Sequence, residues 1–174
     1  IETAERLIDE GLAASALADD PDGPLVWGGQ LGVIRWMQGR VDELEPLYRD
    51  MAATSSEPVW PAILAWLWAR HGLREAARGM LQRIADIGLD AVPRDRHWLL
   101  TMATIAEASA RVGAVDIAAE VHEQLVPYHD RMVPIAMGIS YWGTVARPLA
   151  LVELALGRPD AAIERFEAAV TSAA

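Results

Sequence analysis

The tetrapeptide Gly39-Arg40-Val41-Asp42 indicates the fold of this 174-residue chain, because its pattern occurs three more times. The copies are Gly72-Leu73-Arg74-Glu75, Gly113-Ala114-Val115-Asp116 and Gly157-Arg158-Pro159-Asp160. Each copy lies between two segments whose apolar residues have helical spacing. We expect the glycine to end one helix in the left-handed conformation, and the acidic residue to favour the positive end of the next helix. Four copies in one register indicate a repeat of helix hairpins.

The agreement extends to both sides of the glycines. Eight residues before each one stands a large apolar residue followed by a small one: Leu31-Gly32, Leu64-Ala65, Ile105-Ala106 and Leu149-Ala150. Five residues after each one stands Leu44, Ala77, Ala118 or Ala162, which we expect to face the small residue across the hairpin. These offsets resemble the tetratricopeptide repeat (TPR) pattern, although the glycines lie 33, 41 and 44 residues apart. The later repeats therefore have longer helices or longer connections.

The sequence predicts an all-α, TPR-like α-solenoid of antiparallel hairpins, about nine helices in a right-handed superhelix. No segment shows the alternation of β-branched and aromatic residues that is typical of strands. We expect one domain over 1–174, a fragment of a longer protein. Its parts are a partial leading repeat at 1–24 and hairpins at 25–56, 57–92, 93–134 and 135–174.

The predicted helices follow from the same register. They cover 3–18, 27–38, 41–54, 58–71, 73–88, 95–112, 114–129, 140–156 and 158–172. Turns are expected at 19–24 and at Val133-Pro134. Pro148 either kinks the helix at 140–156 or lies near its true start.

Composition excludes several functions. The chain has no cysteine and no lysine, so thiolate chemistry, disulfides and lysine-based phosphate binding or Schiff-base chemistry are ruled out. The net charge of −10 disfavours direct contact with nucleic acid, which needs a basic face. Charges interrupt every apolar run, so we expect a cytoplasmic protein without a membrane span.

The remaining reactive residues form no catalytic pattern. His122 and His129 lie seven residues apart on one predicted helix, about 10 Å along its axis, too far to share one metal ion. The glycine-rich stretch at 28–32 follows no predicted strand, so it does not resemble a phosphate-binding loop. We therefore expect no enzyme activity and no catalytic, cofactor-binding or metal-binding residues.

The repeat register also predicts a binding face. Solenoids bind partners on their concave surface, which the first helix of each hairpin lines. Aromatic residues and arginine at outward positions there are typical of binding hot spots. The six residues at these positions are Trp36, Trp66, Arg70, Glu107, Arg111 and Arg147. The alternative is that these arginines pair locally with Asp and Glu.

Several segments resemble the C-terminal helical-repeat region of large actinobacterial regulators, at Ile34–Arg40, Ala91–Leu99, Leu125–Tyr128 and Leu156–Ala162. Those proteins join an adenylate-cyclase-like or LuxR-type DNA-binding module to a STAND-type ATPase and a TPR-like array. The resemblance implies a domain for protein–protein interaction or signal sensing in transcription regulation. Its partner would be a protein, a peptide or another domain of the parent regulator. The alternative is a small-molecule inducer in the superhelix groove, and a homo-oligomer stays open.

Overall fold

The computed structural model describes residues 2–20, 22–135, 138 and 140–171. This part is mostly helical, with nine α-helices and one small two-stranded sheet, which agrees with the predicted all-α class. In chain order the elements are α1 Glu2–Leu17, α2 Gly23–Met37, α3 Glu45–Thr54, α4 Val59–Arg70, α5 Arg74–Ile87, α6 Trp98–Val112, α7 Val115–Leu125, β1 Met132–Ile135, β2 Ser140–Thr144, α8 Ala146–Ala155 and α9 Pro159–Thr171.

The four repeat glycines end helices as predicted. Their φ angles are 71°, 75°, 72° and 74° for Gly39, Gly72, Gly113 and Gly157, all in the left-handed region. After each glycine the next backbone N–H donates to a carbonyl five residues earlier, as Leu73 does to Trp68 at 2.9 Å and Arg158 does to Glu153 at 2.8 Å. This is the Schellman arrangement, which satisfies carbonyls that the helix leaves free. A side chain at these glycines would strain the backbone.

The flanking positions are buried where the register places them. Ala65, Ala106 and Ala150 have no exposed surface, and neither do Ala77 and Ala118 on the second helices of their hairpins. The first hairpin differs, because the hydroxyl of Tyr48 is the nearest atom to a side chain built on Gly32, at 2.9 Å from the added Cβ. In that hairpin a tyrosine fills the space that the repeat leaves beside the small residue.

Two central helices organise the core. Nearly every residue of α4 from Val59 to Trp68 is buried, and α6 is buried along most of its length. A helix that is apolar on all sides packs against neighbours on all sides. Accordingly α6 contacts α4, α5, α7, α8 and strand β1, while α1 packs mainly on α2.

Prolines shift several predicted helix bounds. Helix α2 begins at Gly23, four residues earlier than predicted, with Pro24 in its first turn. The segment 41–44 is a 3-10 turn, because Pro46 lacks the N–H that a continuous α-helix would need there. Pro148 lies in the first turn of α8, so it marks the helix start and does not kink the helix.

The prediction that the chain contains no strand is wrong. Residues 132–144 include an antiparallel β-hairpin with Pro134 paired to Tyr141 and Ile135 paired to Ser140. The predicted turn at Val133-Pro134 is part of β1, and the predicted helix at 140–156 begins only at Ala146. Val133 is fully buried and anchors the hairpin on the helices. This insertion accounts for the long spacing between the last two repeat glycines.

None of the helices in the described part of the chain is long and apolar enough to cross a membrane.

Candidate functional site

Three tryptophans from three different elements meet on one side of α4. Trp36 of α2 and Trp66 of α4 stack with ring centroids 5.0 Å apart and planes inclined by 8°. Trp142 of β2 packs edge-on against both, 4.2 Å from Trp36 and 4.6 Å from Trp66. We call these three residues the tryptophan cluster. Such stacked and edge-on pairs stabilise by about 0.5–1.5 kcal/mol each beyond the burial of their area.

A buried carboxylate holds the cluster to α6. Glu107 has no exposed surface. Its Oε2 accepts the indole N–H of Trp66 at 3.1 Å, and its Oε1 accepts that of Trp142 at 3.2 Å. Arg147 of α8 binds the same carboxylate through both terminal nitrogens, at 2.8 and 3.1 Å. These three hydrogen bonds and the ion pair with Arg147 compensate the cost of burying the charge. Arg147 therefore pairs with an acidic residue of the chain itself, which is the alternative considered for the predicted binding face.

Arg70 lies at the edge of the cluster. Its guanidinium carbon is 5.2 Å from the ring centroids of both Trp36 and Trp66. Burial lowers the pKa of Arg70 below its ordinary value, and the positive charges of Arg111 and Arg147 lower it further, while Glu107 acts in the opposite direction.

Arg111 stands at the same repeat position of α6 as Arg70 does of α4, two residues before the helix-ending glycine. Both side chains are exposed. Two arginines of α5 fix the end of α6 on which Arg111 lies: Arg74 donates to the carbonyl of Arg111 at 2.9 Å, and Arg78 to that of Val112 at 2.9 Å. Within the described residues, neither Arg70 nor Arg111 forms a side-chain hydrogen bond or ion pair with a carboxylate.

The structure thus brings the six predicted residues into one region but corrects their orientation. Arg70 and Arg111 point outward as expected, and Trp36 and Arg147 are half-buried. Trp66 and Glu107 are fully buried, so the expectation that they form an open surface is wrong. The physical reason is the β-hairpin, whose Trp142 covers both side chains. Sequence reasoning missed Trp142 because it placed residue 142 on a helix.

A narrow cleft runs between α2 and the rest of the array. Its cavity volume is about 50 Å³, and it continues past Trp36 and Trp142 into a wider groove of about 300 Å³ between α2 and the hairpin. Glycines of α2 form one wall and aromatic or aliphatic side chains form the others: Gly28, Gly29, Gly32, Trp36, Val41, Tyr48, Val59, Trp60, Ile63, Trp66, Leu100, Ile135 and Trp142. His97 and Tyr48 are the ionisable residues in this lining.

The histidines that were considered for a metal site have other surroundings. His122 of α7 contacts Glu153 of α8, with Nε2 and Oε1 2.5 Å apart, and His129 is exposed. His122 thus joins two neighbouring helices through a mostly buried pair.

The function of this site has to be argued from its own geometry, because the chain matches no protein-family model, no curated protein and no solved structure.

Proposed function

We propose that this chain is a non-catalytic interaction domain that binds an acidic segment of a partner protein or of another domain of its parent regulator. One observation carries the proposal: Arg70 and Arg111 present guanidinium groups without a carboxylate partner among the described residues, and Arg70 lies beside the aromatic face of Trp36. The chain as a whole is acidic, with a net charge of −10. An uncompensated basic site on an acidic protein favours an anionic partner.

The chemistry of the two side chains supports a carboxylate ligand. A guanidinium offers a planar fork of donors that matches a carboxylate, and hydrogen bonds to charged groups contribute about 1.5–3 kcal/mol each. Trp36 supplies a half-buried apolar surface next to this fork. Aromatic residues and arginine together are the residue types that dominate binding energy at protein interfaces.

The repeat architecture supports an extended partner. Arg70 and Arg111 occupy equivalent positions of consecutive hairpins. In a TPR-like array such arginines would follow one another along the surface, so that each could pair with a successive carboxylate of an extended acidic peptide. The resemblance to the helical-repeat region of actinobacterial regulators extends the proposal to signal sensing in transcription regulation. In that setting the acidic segment would belong to a partner protein or to a neighbouring domain.

The test compares the double variant Arg70→Ala/Arg111→Ala with the control Arg6→Ala/Arg49→Ala. The control removes the same charge from exposed arginines that already pair with Glu10 and Glu45. The probe is a fluorescein-labelled peptide of alternating Glu and Leu, followed by fluorescence anisotropy. We expect the site variant to weaken binding at least tenfold at unchanged melting temperature, since one charged hydrogen bond is equivalent to about a factor of ten. Equal affinities of the two variants would contradict the proposal.

A second candidate is a flat apolar ligand in the cleft, which the lining of glycines and tryptophans favours. Ligand sites are mostly apolar with few polar groups, and the groove beside the hairpin has space for such a molecule. Here the probe is N-phenyl-1-naphthylamine, a neutral fluorophore. Gly28→Leu, which fills the cleft, should abolish its binding, whereas Arg70→Ala/Arg111→Ala should leave it unchanged. Binding that Gly28→Leu does not alter would contradict this candidate.

A further inference from the structure

Three potential metal ligands meet where the connections into α4 and α6 approach each other. Glu57 precedes α4, and Asp95 and His97 precede α6. One ligand atom of each residue lies within 4.8 Å of the corresponding atoms of the other two. The imidazole Nδ1 of His97 and the carboxylate Oε2 of Glu57 are 3.5 Å apart. That separation is close to the distance between two ligands of one tetrahedral metal ion, for which metal–ligand bonds are about 2.0–2.2 Å.

His97 supplies an independent observation. The residue is only 7% exposed, and neither ring nitrogen has a hydrogen-bond partner among the described residues. Buried polar groups are nearly always paired, so an imidazole with two orphan nitrogens calls for an explanation. A metal ion bound to one nitrogen would supply a partner for that nitrogen. Asp95 is already oriented for this role, because its Oδ1 accepts the backbone N–H of His97 at 2.8 Å.

We propose that Glu57, Asp95 and His97 bind a divalent transition-metal ion of borderline softness, Zn²⁺ being the best match. One imidazole nitrogen and two carboxylate oxygens are ligand types that Zn²⁺ accepts, whereas Ca²⁺ and Mg²⁺ prefer all-oxygen sites. With a neutral imidazole, the two carboxylates balance the charge of the ion. Three protein ligands leave a fourth position open.

The site lies against the cleft. His97 belongs to the cleft lining, so the metal ion would fix the orientation of one wall residue. The ion would also join the chain before α4 to the chain before α6. Because a ligand that binds only the folded state stabilises it, Zn²⁺ at a hundredfold excess over its Kd should raise the melting temperature by about 5 °C or more. This site is independent of the acidic-segment binding proposed above.

The experiment titrates the metal-free chain with ZnCl₂ by isothermal calorimetry and records the visible spectrum of the Co²⁺ complex. We expect one ion per chain with a micromolar or lower Kd, and Co²⁺ absorption bands that report a nitrogen ligand. His97→Gln and Glu57→Gln should each weaken binding at least tenfold. His122→Gln is the matched control, because it removes another buried histidine that contacts a glutamate, and it should leave the affinity unchanged.

Glu57→Gln keeps the test decisive if His97→Gln does not fold, because the Glu57 side chain is about half exposed. No heat of Zn²⁺ binding at 100 µM chain would overturn the proposal. Zn²⁺ binding that survives Glu57→Gln at full affinity would overturn it as well. An ordinary His97–carboxylate contact that needs no metal would give the first of these results, no heat of Zn²⁺ binding.

Discussion

Trp142 and Glu107 join the β-hairpin to the middle of α6 through a hydrogen bond of 3.2 Å from the indole N–H to Oε1. The residues are 35 positions apart in the chain, and the bond is one of three hydrogen bonds that, with a further ion-pair contact of Arg147, converge on the same carboxylate. The hairpin thereby covers this face of α6.

The first prediction concerns the charge of this carboxylate. Glu107→Gln keeps the shape but leaves Arg147 without its anion and gives the two indole donors a single acceptor. We expect the free energy of unfolding to fall by about 3 kcal/mol, as is typical when one member of a buried ion pair is removed. Urea denaturation followed by circular dichroism measures this change. Glu10→Gln, at an exposed ion pair, should change stability by less than about 0.5 kcal/mol. Equal effects of the two variants would show that the contacts of Glu107 contribute little.

The second prediction tests the packing of the repeat. Ala106 is fully buried in α6, so Ala106→Leu should overpack the core and lower the free energy of unfolding by about 1–3 kcal/mol. Ala76→Leu is the control, because Ala76 is exposed on α5 and a leucine there has open space. Thermal melts of both variants are the measurement. An unchanged melting temperature for Ala106→Leu would mean that α6 does not pack tightly at this position.

The third prediction compares two glycines of α2. A Cβ at Gly28 would meet no atom within 4 Å, so Gly28→Ala should gain helix propensity and stabilise the chain by up to about 1 kcal/mol. A Cβ at Gly32 would lie 2.9 Å from the buried Tyr48 hydroxyl, so Gly32→Ala should lose that gain to the clash. Chemical denaturation of the two variants side by side gives the difference. The opposite order of stability would place α2 elsewhere relative to Tyr48.

The fourth prediction concerns pH. Glu5 of α1 accepts hydrogen bonds from Gln38 at 2.7 Å and from Arg35, and these bonds, Gln38 first, lower its pKa below the ordinary 4.5. A lowered carboxyl pKa means that the contact between α1 and α2 is fully stabilising above pH 4.5 and is lost as the pH falls through the lower, folded-state pKa.

An NMR titration of the Glu5 side chain measures this pKa directly. Its midpoint should lie below 4.5 in the wild-type chain and move toward 4.5 in Gln38→Ala, which removes the principal donor. A wild-type midpoint at or above 4.5 would show that Glu5 is not held by α2 in solution.

The sequence predicts what is periodic in this fold. The same register occurs in each repeat, and it predicts the turns at Gly72 and Gly113 and the buried positions Ala65 and Ala106. It does so because local helix geometry fixes which side of a helix a residue occupies. The grouping of Trp66 with Glu107 follows from the same register.

The rest depends on contacts that no local pattern encodes. Strands of four and five residues give weak signals, and the pairing of Pro134 with Tyr141 becomes visible only in three dimensions. The repeat register alone places Trp66 and Glu107 on the surface, whereas in the structure both are buried and contact Trp142 of the hairpin. Glu57 and His97 are 40 positions apart, so their approach could not be read from spacing either.

The parallel stacking of Trp36 and Trp66 also has an optical consequence. Two indole rings held 5.0 Å apart couple their electronic transitions, and Trp142 adds a third chromophore whose ring plane is inclined by 71° to Trp36 and 68° to Trp66. Such an arrangement produces its own circular dichroism near the helical bands, so ellipticity at a single wavelength will misstate the helix content of this chain. The same coupling makes the cleft a built-in reporter, since a partner that separates the rings changes the spectrum without any added label.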